Sequence, residues 1–271
     1  MNLGDTSFLD GIAGPGFVLE QIADGGHDGR IVDANGNKVP GSVNSISGLT
    51  HFAWLSHKRI AGAWYGMEVV SAAAYVDAGT AGTVGGASTQ TISPFILQWP
   101  EVHFLHMRID QRADLDFEVP PGHYSQGSPV ALGNNNFTVH PYYAVTAFPT
   151  KRIETSWRVH YLWNSTDNAP PLSTGDRSTQ AGQAIHFNAT AGYNIYKGLW
   201  IGPNAYFLSQ ITDGRVNGVS IPDSPERVAA IGPGMVWNKK KWYFYANQYE
   251  EFGARNRATG QKLVLRVEKV F

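Results

Sequence analysis

The stretch "IETSWRVHYLWN", residues 153–164, alternates with a period of two. Ile153, Thr155, Trp157, Val159, Tyr161 and Trp163 share one side. Glu154, Ser156, Arg158, His160, Leu162 and Asn164 share the other. Successive side chains of a strand point to opposite faces of its sheet, so this run predicts a strand with one apolar and one polar face. "AIHFNATAGYNI" (184–195), "LWIGPNAYFLSQI" (199–211) and "KLVLRVEKVF" (262–271) repeat the pattern. Helical periodicity is scarce.

The breaks between such runs come in two kinds. Short polar turns are expected at 56–59, 99–101, 149–152, 195–198 and 238–241. Longer loops rich in Gly, Pro, Asn, Asp and Ser are expected near 24–43, 79–86, 118–136, 165–180, 212–226 and 253–259. Between them lie twelve expected strands: 15–23, 44–55, 60–77, 87–98, 102–117, 137–149, 152–164, 182–195, 198–211, 227–238, 241–252 and 260–271. Alternating short turns and long loops is what an up-and-down meander produces when all turns lie at one rim. Transmembrane β-barrels have that asymmetry, an even strand number and about 10 residues per crossing. Both termini then fall at the short-turn, periplasmic rim. Hydrocarbon offers an open sheet edge no hydrogen-bond partners, so the first and last strands are expected to pair.

Composition narrows the field. The chain has 271 residues, a formal charge of -1 and no cysteine, which excludes a disulfide framework and cysteine-ligated metal. The neutral balance gives no sign of a nucleic-acid partner. Charged residues are 16% of the chain, against a usual ~25%. Eight Trp, twelve Tyr and thirteen Phe are a heavy aromatic load. There is no apolar run long enough for a membrane helix. The amino end, "MNLGDTSFLDG", lacks a basic region and an apolar signal core, so an exported form is expected to be a processed chain.

Alternation alone does not say which face points outward. A soluble β-sandwich with surface rings for sugar binding shows the same pattern, with its apolar face inward. The alternating turn lengths, the ending within a strand and the aromatics toward strand ends (Trp54, Trp64, Trp99, Trp157, Trp163, Trp200, Trp237 and Trp242) favour the membrane, because amphipathic rings suit its interfaces.

Several loop segments carry a resemblance. They are "PGF" (15–17), "VPPGHYSQGSPVALGNNNFTVHP" (119–141), "STGDRS" (173–178), "SQITDGRVNG" (209–218), "IGPGMVW" (231–237) and "NRATG" (256–260). On these the chain resembles the Gram-negative outer-membrane channels of the meta-pathway phenol-degradation family, implicated in uptake of hydrophobic compounds. The segment "NSTDNAPPLSTGD" (164–176) departs from that family's Asn- and Tyr-rich form. The resemblance implies an outer-membrane barrel that passes hydrophobic compounds. It also implies that the terminal aromatic, Phe271, acts as an assembly signal read by the barrel-assembly machinery.

Candidate functional residues follow from the inward register. Glu20, Arg108, Asp110, Arg112, Asp114, Glu154, Arg158, His160, Arg266 and Glu268 are expected to form a charged lumen. That lumen is either a rigidifying ladder of ion pairs or a selective constriction. Phe104, Tyr142, Trp200, Tyr206, Tyr243, Tyr245 and Tyr249 are expected to line it with rings, which suits an aromatic solute or simply fills a narrow interior. Phe8, Leu9 and Ile12 precede the first strand, and shelter for them is nearest in the lumen. Residues 1–14 are therefore expected to fold back as a plug, with Gly11, Gly14 and Gly16 allowing the reversal. Residues 15–271 form the barrel.

No Gly-x-Ser-x-Gly elbow or His-Glu-x-x-His is present, and His103 and His106 lie on opposite faces of a strand. No enzyme, metal or cofactor is expected. The expected protein is a monomeric, all-β, twelve-stranded antiparallel barrel in the lipid bilayer of the Gram-negative outer membrane. It passes small hydrophobic or aromatic compounds by diffusion. A general porin for hydrophilic solutes or ions is the alternative, with the soluble sugar-binding β-protein beyond it. Pro141, Pro203 and Pro233 lie inside expected strands, where each removes a ladder hydrogen bond. A gap there would open a sideways route, and a bulge without a transport role is the other reading.

Overall fold

The computed structural model describes residues 3–120, 122–128, 130–133 and 135–271. Twelve long strands run in chain order: β1 (Gly16–Val32), β2 (Val43–Ile60), β3 (Ala63–Asp77), β4 (Gln90–Phe104), β5 (Met107–Val119), β6 (Thr138–Thr150), β7 (Ile153–Asn164), β8 (Ala184–Tyr196), β9 (Leu199–Gln210), β10 (Arg227–Lys239), β11 (Trp242–Arg255) and β12 (Arg257–Val270). Each pairs antiparallel with its neighbours in sequence. β12 pairs back onto β1 from Val18↔Val270 to Val32↔Arg257, which closes the barrel. The Phe271 N–H adds a bond to the Phe17 carbonyl at 2.9 Å.

The wall is inside out relative to a soluble core. Phe52, Val69, Phe95, Ile231 and Leu265 are each about half exposed on the outer face. Glu20, Ser93, Glu154, Arg158, His186 and Arg266 are buried on the inner one. In β7 the outward residues are Ile153, Val159, Tyr161 and Trp163, and the buried ones are Glu154, Ser156, Arg158, His160 and Leu162. An aqueous exterior would reverse that choice, so the soluble sugar-binding reading fails here.

Five tight turns lie at one rim. Both central residues have positive φ in Ala61–Gly62, Leu105–His106 and Lys197–Gly198, as two-residue hairpin turns matched to strand twist require. Cations cover aromatic rings near this rim: Arg59 over Trp64, Lys239 over Trp237 and Lys269 over Trp242. The charged groups stand 5.1, 5.4 and 4.8 Å from the ring centroids, a cation–π arrangement that suits an interface.

Several expected boundaries need correction. β2 and β4 continue through the polar residues read as turns at 56–59 and 99–101, because bulges between Leu55 and Arg59 and between Trp99 and Val102 absorb the irregularity. β1 continues to Val32, through residues read as loop, since it is paired on both sides beyond the apolar belt. The loop expected at 253–259 is a tight turn around Asn256, at φ 54. Residues 165–180 and 212–226 are not plain loops. They hold a small sheet of Thr179–Gln180, Arg215–Val216 and Val219–Ser220. In the loop after β1, the Asn37 backbone N–H, with the Asn37 amide and the Asn35 backbone N–H, holds the Asp33 carboxyl below the ordinary range.

Candidate functional site: the lumen and the amino-terminal segment

Residues Leu3–Gly11 are buried inside the barrel. Phe8 is fully buried, and Leu9 packs with Trp200, Val236 and Tyr245, flanked by Ile12, Phe148 and Tyr243. A β-carbon on Gly192 or Gly234 would come within 3.0 Å or 2.9 Å of the Phe8 ring, so these two wall glycines form its seat. Gly11 is likewise constrained by space. A β-carbon there would lie 2.4 Å from the Thr146 backbone nitrogen. Close approach to β6, rather than a positive φ, is what requires glycine at this position. Among the three glycines expected to permit the reversal, Gly16 has a positive φ, and the segment's own turn places Leu9 at φ 63.

Polar contacts fix the segment to the wall. Arg158 Nε donates to Asp10 Oδ2 at 2.8 Å, and its second nitrogen donates to Oδ1. Arg112 lies 3.6 Å from the same carboxylate. The Gly11 N–H donates to Thr146 Oγ1 at 2.8 Å, and Gln98 Nε2 donates to the Gly11 carbonyl at 3.0 Å. Asn188 Nδ2 donates to Thr6 Oγ1 and Asn247 Nδ2 to Ser7 Oγ. Tyr249 donates to the Gly4 carbonyl. Lys262 Nζ donates to the Leu3 carbonyl at 2.8 Å and to Asp5 Oδ1 at 2.6 Å.

The segment packs chiefly against β6–β11, with further contacts from Gln98, Arg112 and Lys262, and leaves space beside it. A cavity of about 370 Å³ lies there, bounded by Leu9 and Ile12, by β12 and β1–β5, and by residues of β6, β7 and β11. It extends from Val18 and Val270 near the short-turn rim to Glu118 and His140 near the loops. Ile22, Leu49, Leu55 and Ile96 give it an apolar side; Tyr142, Tyr243 and Tyr245 give it rings. Several of its charges are engaged with one another. Arg266 Nε lies 3.2 Å from Glu20. His51 faces Glu20 at 2.9 Å with one ring nitrogen and Glu68 at 3.1 Å with the other. Arg158 sits 4.0 Å over the Tyr142 ring and Arg266 3.6 Å over Tyr245.

All ten expected charged residues lie on inward positions, but not as one constriction. Arg108 pairs with Asp110 and Glu101 toward the short-turn rim. Glu154 lies beside the segment, where Ser156 Oγ donates to it at 2.8 Å. Asp114 accepts from Tyr142 at 2.9 Å and from Ser93. His160 meets His140 and His186. Glu268 lies 3.5 Å from the Tyr245 hydroxyl. Of the expected rings, Tyr142, Trp200, Tyr206, Tyr245 and Tyr249 are buried inside, and Tyr243 is partly so. Phe104 is a correction. It is 61% exposed at the Leu105–His106 turn, because the bulge in β4 ends the register that placed it in the lumen. Trp200 faces inward and so does not belong to an interfacial girdle. Phe271 is exposed at the short-turn rim.

Sequence reasoning missed Asp5, Asp10, His51, Glu68, Glu251 and Lys262. The inward glycines Gly192 and Gly234 carried a signal: a lumen position without a side chain leaves room that another group must fill.

The wall is irregular around the β9–β10 hairpin. Pro203 and Pro233 stand opposite each other in the β9–β10 ladder. Pairing is interrupted on both outer edges of that hairpin, between Thr190↔Asn204 and Tyr193↔Ile201 and between Ile231↔Glu250 and Gly234↔Asn247. Asn204 Nδ2 reaches across to the Gly232 carbonyl at 2.6 Å and the Gln248 carbonyl at 3.3 Å. An apolar hollow of about 930 Å³ lies outside, lined by Tyr193, Ile201, Pro203, Ile231, Pro233 and Leu263. Phe8 is seated immediately inside, against Gly192 and Gly234.

A closed antiparallel barrel with an apolar exterior and a polar, ring-lined interior defines the outer-membrane barrel class. Within it, the chain belongs to the family described as putative MetA-pathway of phenol degradation, which matches residues 28–267. An outer membrane channel from Pseudomonas putida F1 has the same fold, with a TM-score of 0.82 at 12% identity over 96% of this chain and 97% of that one. The β domain of the Bordetella autotransporter BrkA aligns with a TM-score of 0.51 at 12% identity, over 95% of this chain and 100% of that one. The monoaromatic hydrocarbon channel CymD aligns at 7% identity with a TM-score of 0.42, over 96% of this chain and 89% of that one. No curated protein gives a significant sequence match.

Proposed function

We propose that the protein is an outer-membrane channel through which small hydrophobic or aromatic compounds diffuse passively, with residues 1–14 acting as a plug. The observation that carries this reading is the cavity beside the segment. It follows much of the lumen, and its walls combine aliphatic groups and tyrosine rings with charges of which Glu20, His51 and Arg266 are already paired. Such walls favour an amphipathic or aromatic solute over a strongly hydrated one. The family's description, putative phenol degradation, supports the same substrate class. In this reading the barrel works as a monomer, is inserted by the barrel-assembly machinery and keeps both termini in the periplasm.

A general porin is the competing function. Deleting residues 3–12 from the full chain separates the two. We expect the deletion to raise single-channel conductance severalfold in planar bilayers. In liposomes, the intact protein should admit a labelled phenol faster than a sugar of similar mass. Unchanged conductance overturns the plug, and sugar flux that outpaces phenol flux overturns the hydrophobic route.

A second exit is favoured by the proline zone. There the interrupted pairing, the outer apolar hollow and the Phe8 seat coincide, so a permeant that displaced Phe8 would meet the weakest part of the wall.

A further inference from the structure

Three adjacent strands bring His140, His160 and His186 together near the loop end of the lumen. His160 stands opposite Tyr142 in one ladder and opposite His186 in the next. All three are buried. One ring nitrogen from each lies within 4.8 Å of the others. His140 Nε2 and His186 Nε2 are 2.9 Å apart, and the His160 and His186 rings stack at 3.8 Å and 13°.

Few of these ring nitrogens have other partners. Among the described residues, both nitrogens of His160 and the Nδ1 of His186 find no hydrogen-bond partner. Buried polar atoms are normally satisfied, so three unpartnered ring nitrogens within one buried cluster point to a missing group. His140 presents its other nitrogen, Nδ1, at 3.5 Å from the Glu118 carboxylate. A carboxylate behind an imidazole is the arrangement that orients a histidine toward a metal.

We propose that His140, His160 and His186 bind one borderline divalent transition-metal ion. Neutral imidazoles suit Zn²⁺, Cu²⁺ or Ni²⁺, whereas Ca²⁺ and Mg²⁺ take oxygen ligands. Zn–N bonds of about 2.0–2.1 Å place tetrahedral nitrogens roughly 3.3 Å apart, so binding requires the stacked His160 and His186 rings to part and turn their in-plane lone pairs to a common point. Asp116 stands opposite His140 in the β5–β6 ladder, and its Oδ1 is also unpartnered, so a carboxylate is at hand to offset the ion's charge. His140 and Asp116 line the cavity, which gives the ion access. Bound there, the ion ties β6, β7 and β8 together at the loop end of the solute route.

The test uses the full chain, chelator-stripped in detergent and titrated with CuCl2 and, separately, ZnCl2. We expect one tight site per barrel, and a Cu²⁺ electron paramagnetic resonance spectrum with hyperfine structure from imidazole nitrogens. His160→Asn and His186→Asn should each weaken Zn²⁺ binding at least a hundredfold. Replacement of the exposed His57 by Asn should leave it unchanged. Binding that survives in correctly folded H160N and H186N barrels, judged by faster migration of unboiled samples, overturns the site. If those variants do not fold, the wild-type spectrum decides: imidazole nitrogens around the copper support the site, and oxygen ligands alone, or no tight binding, overturn it.

Discussion

Asp10 accepts both donors of the Arg158 fork from a position where neither group reaches bulk water. The inward register named Glu154 and Arg158 as members of a charged lumen without naming their partners. Glu154 takes Ser156, and the counter-ion of Arg158 comes from the amino-terminal segment. That pairing was not legible, because an acid near a chain end reads as a solvated residue and nothing local marks its partner. Phe8, Leu9 and Ile12 were easier to single out, since apolar side chains near a terminus require shelter somewhere. Removing one member of a buried pair costs about 3–5 kcal/mol, because the remaining charge is left uncompensated. Asp10→Asn is therefore expected to loosen the segment while the barrel still folds. Protease nicking of residues 3–12 should become faster and channel noise should increase. Resistance equal to wild type would mean that Phe8 and the backbone contacts suffice to hold the segment.

At the scale of the strand, period-two alternation named the two faces of every clear run, and the membrane environment decided which face turned outward. Register between strands was less accessible. The prolines at 203 and 233 were visible inside strands, yet nothing in the sequence said that they oppose each other or that both flanking ladders break beside them. That depends on cross-strand alignment, which follows from turn geometry and bulges. Restoring backbone donors tests the zone. The double variant Pro203→Val, Pro233→Val should close the gap and cut uptake of a labelled phenol severalfold, while ion conductance along the lumen stays near wild type. Equal loss of both would assign the prolines to folding rather than to a lateral route.

For the whole molecule, twelve strands and their closure were readable from the rhythm of turns, because a meander that must close has few alternatives. Lengths beyond the apolar belt were not. The upper part of β1 and the tight Asn256 turn have no lipid-facing pattern to mark them as paired strand. The charged network was readable only as a set of inward residues. Its actual partners, His51 between Glu20 and Glu68 among them, depend on which strands adjoin.

The docked segment also carries charge. Asp5 and Asp10 are its acidic residues; Asp5 pairs with Lys262, and Asp10 with Arg158 and more distantly Arg112. A lumen that releases the segment loses two negative charges and keeps every cation they had balanced. Opening and ion preference are thus one event: the inner face without the segment still holds Glu20, Glu68, Asp110, Asp114, Asp116, Glu154 and Glu251, but the two lost negative charges move its preference toward anions. In a salt gradient, the reversal potential of the barrel lacking residues 3–12 should shift toward that of chloride, and Lys262→Gln together with Arg158→Gln should remove the shift. Aromatic acids, which carry a ring and a carboxylate, would then gain most from an open channel.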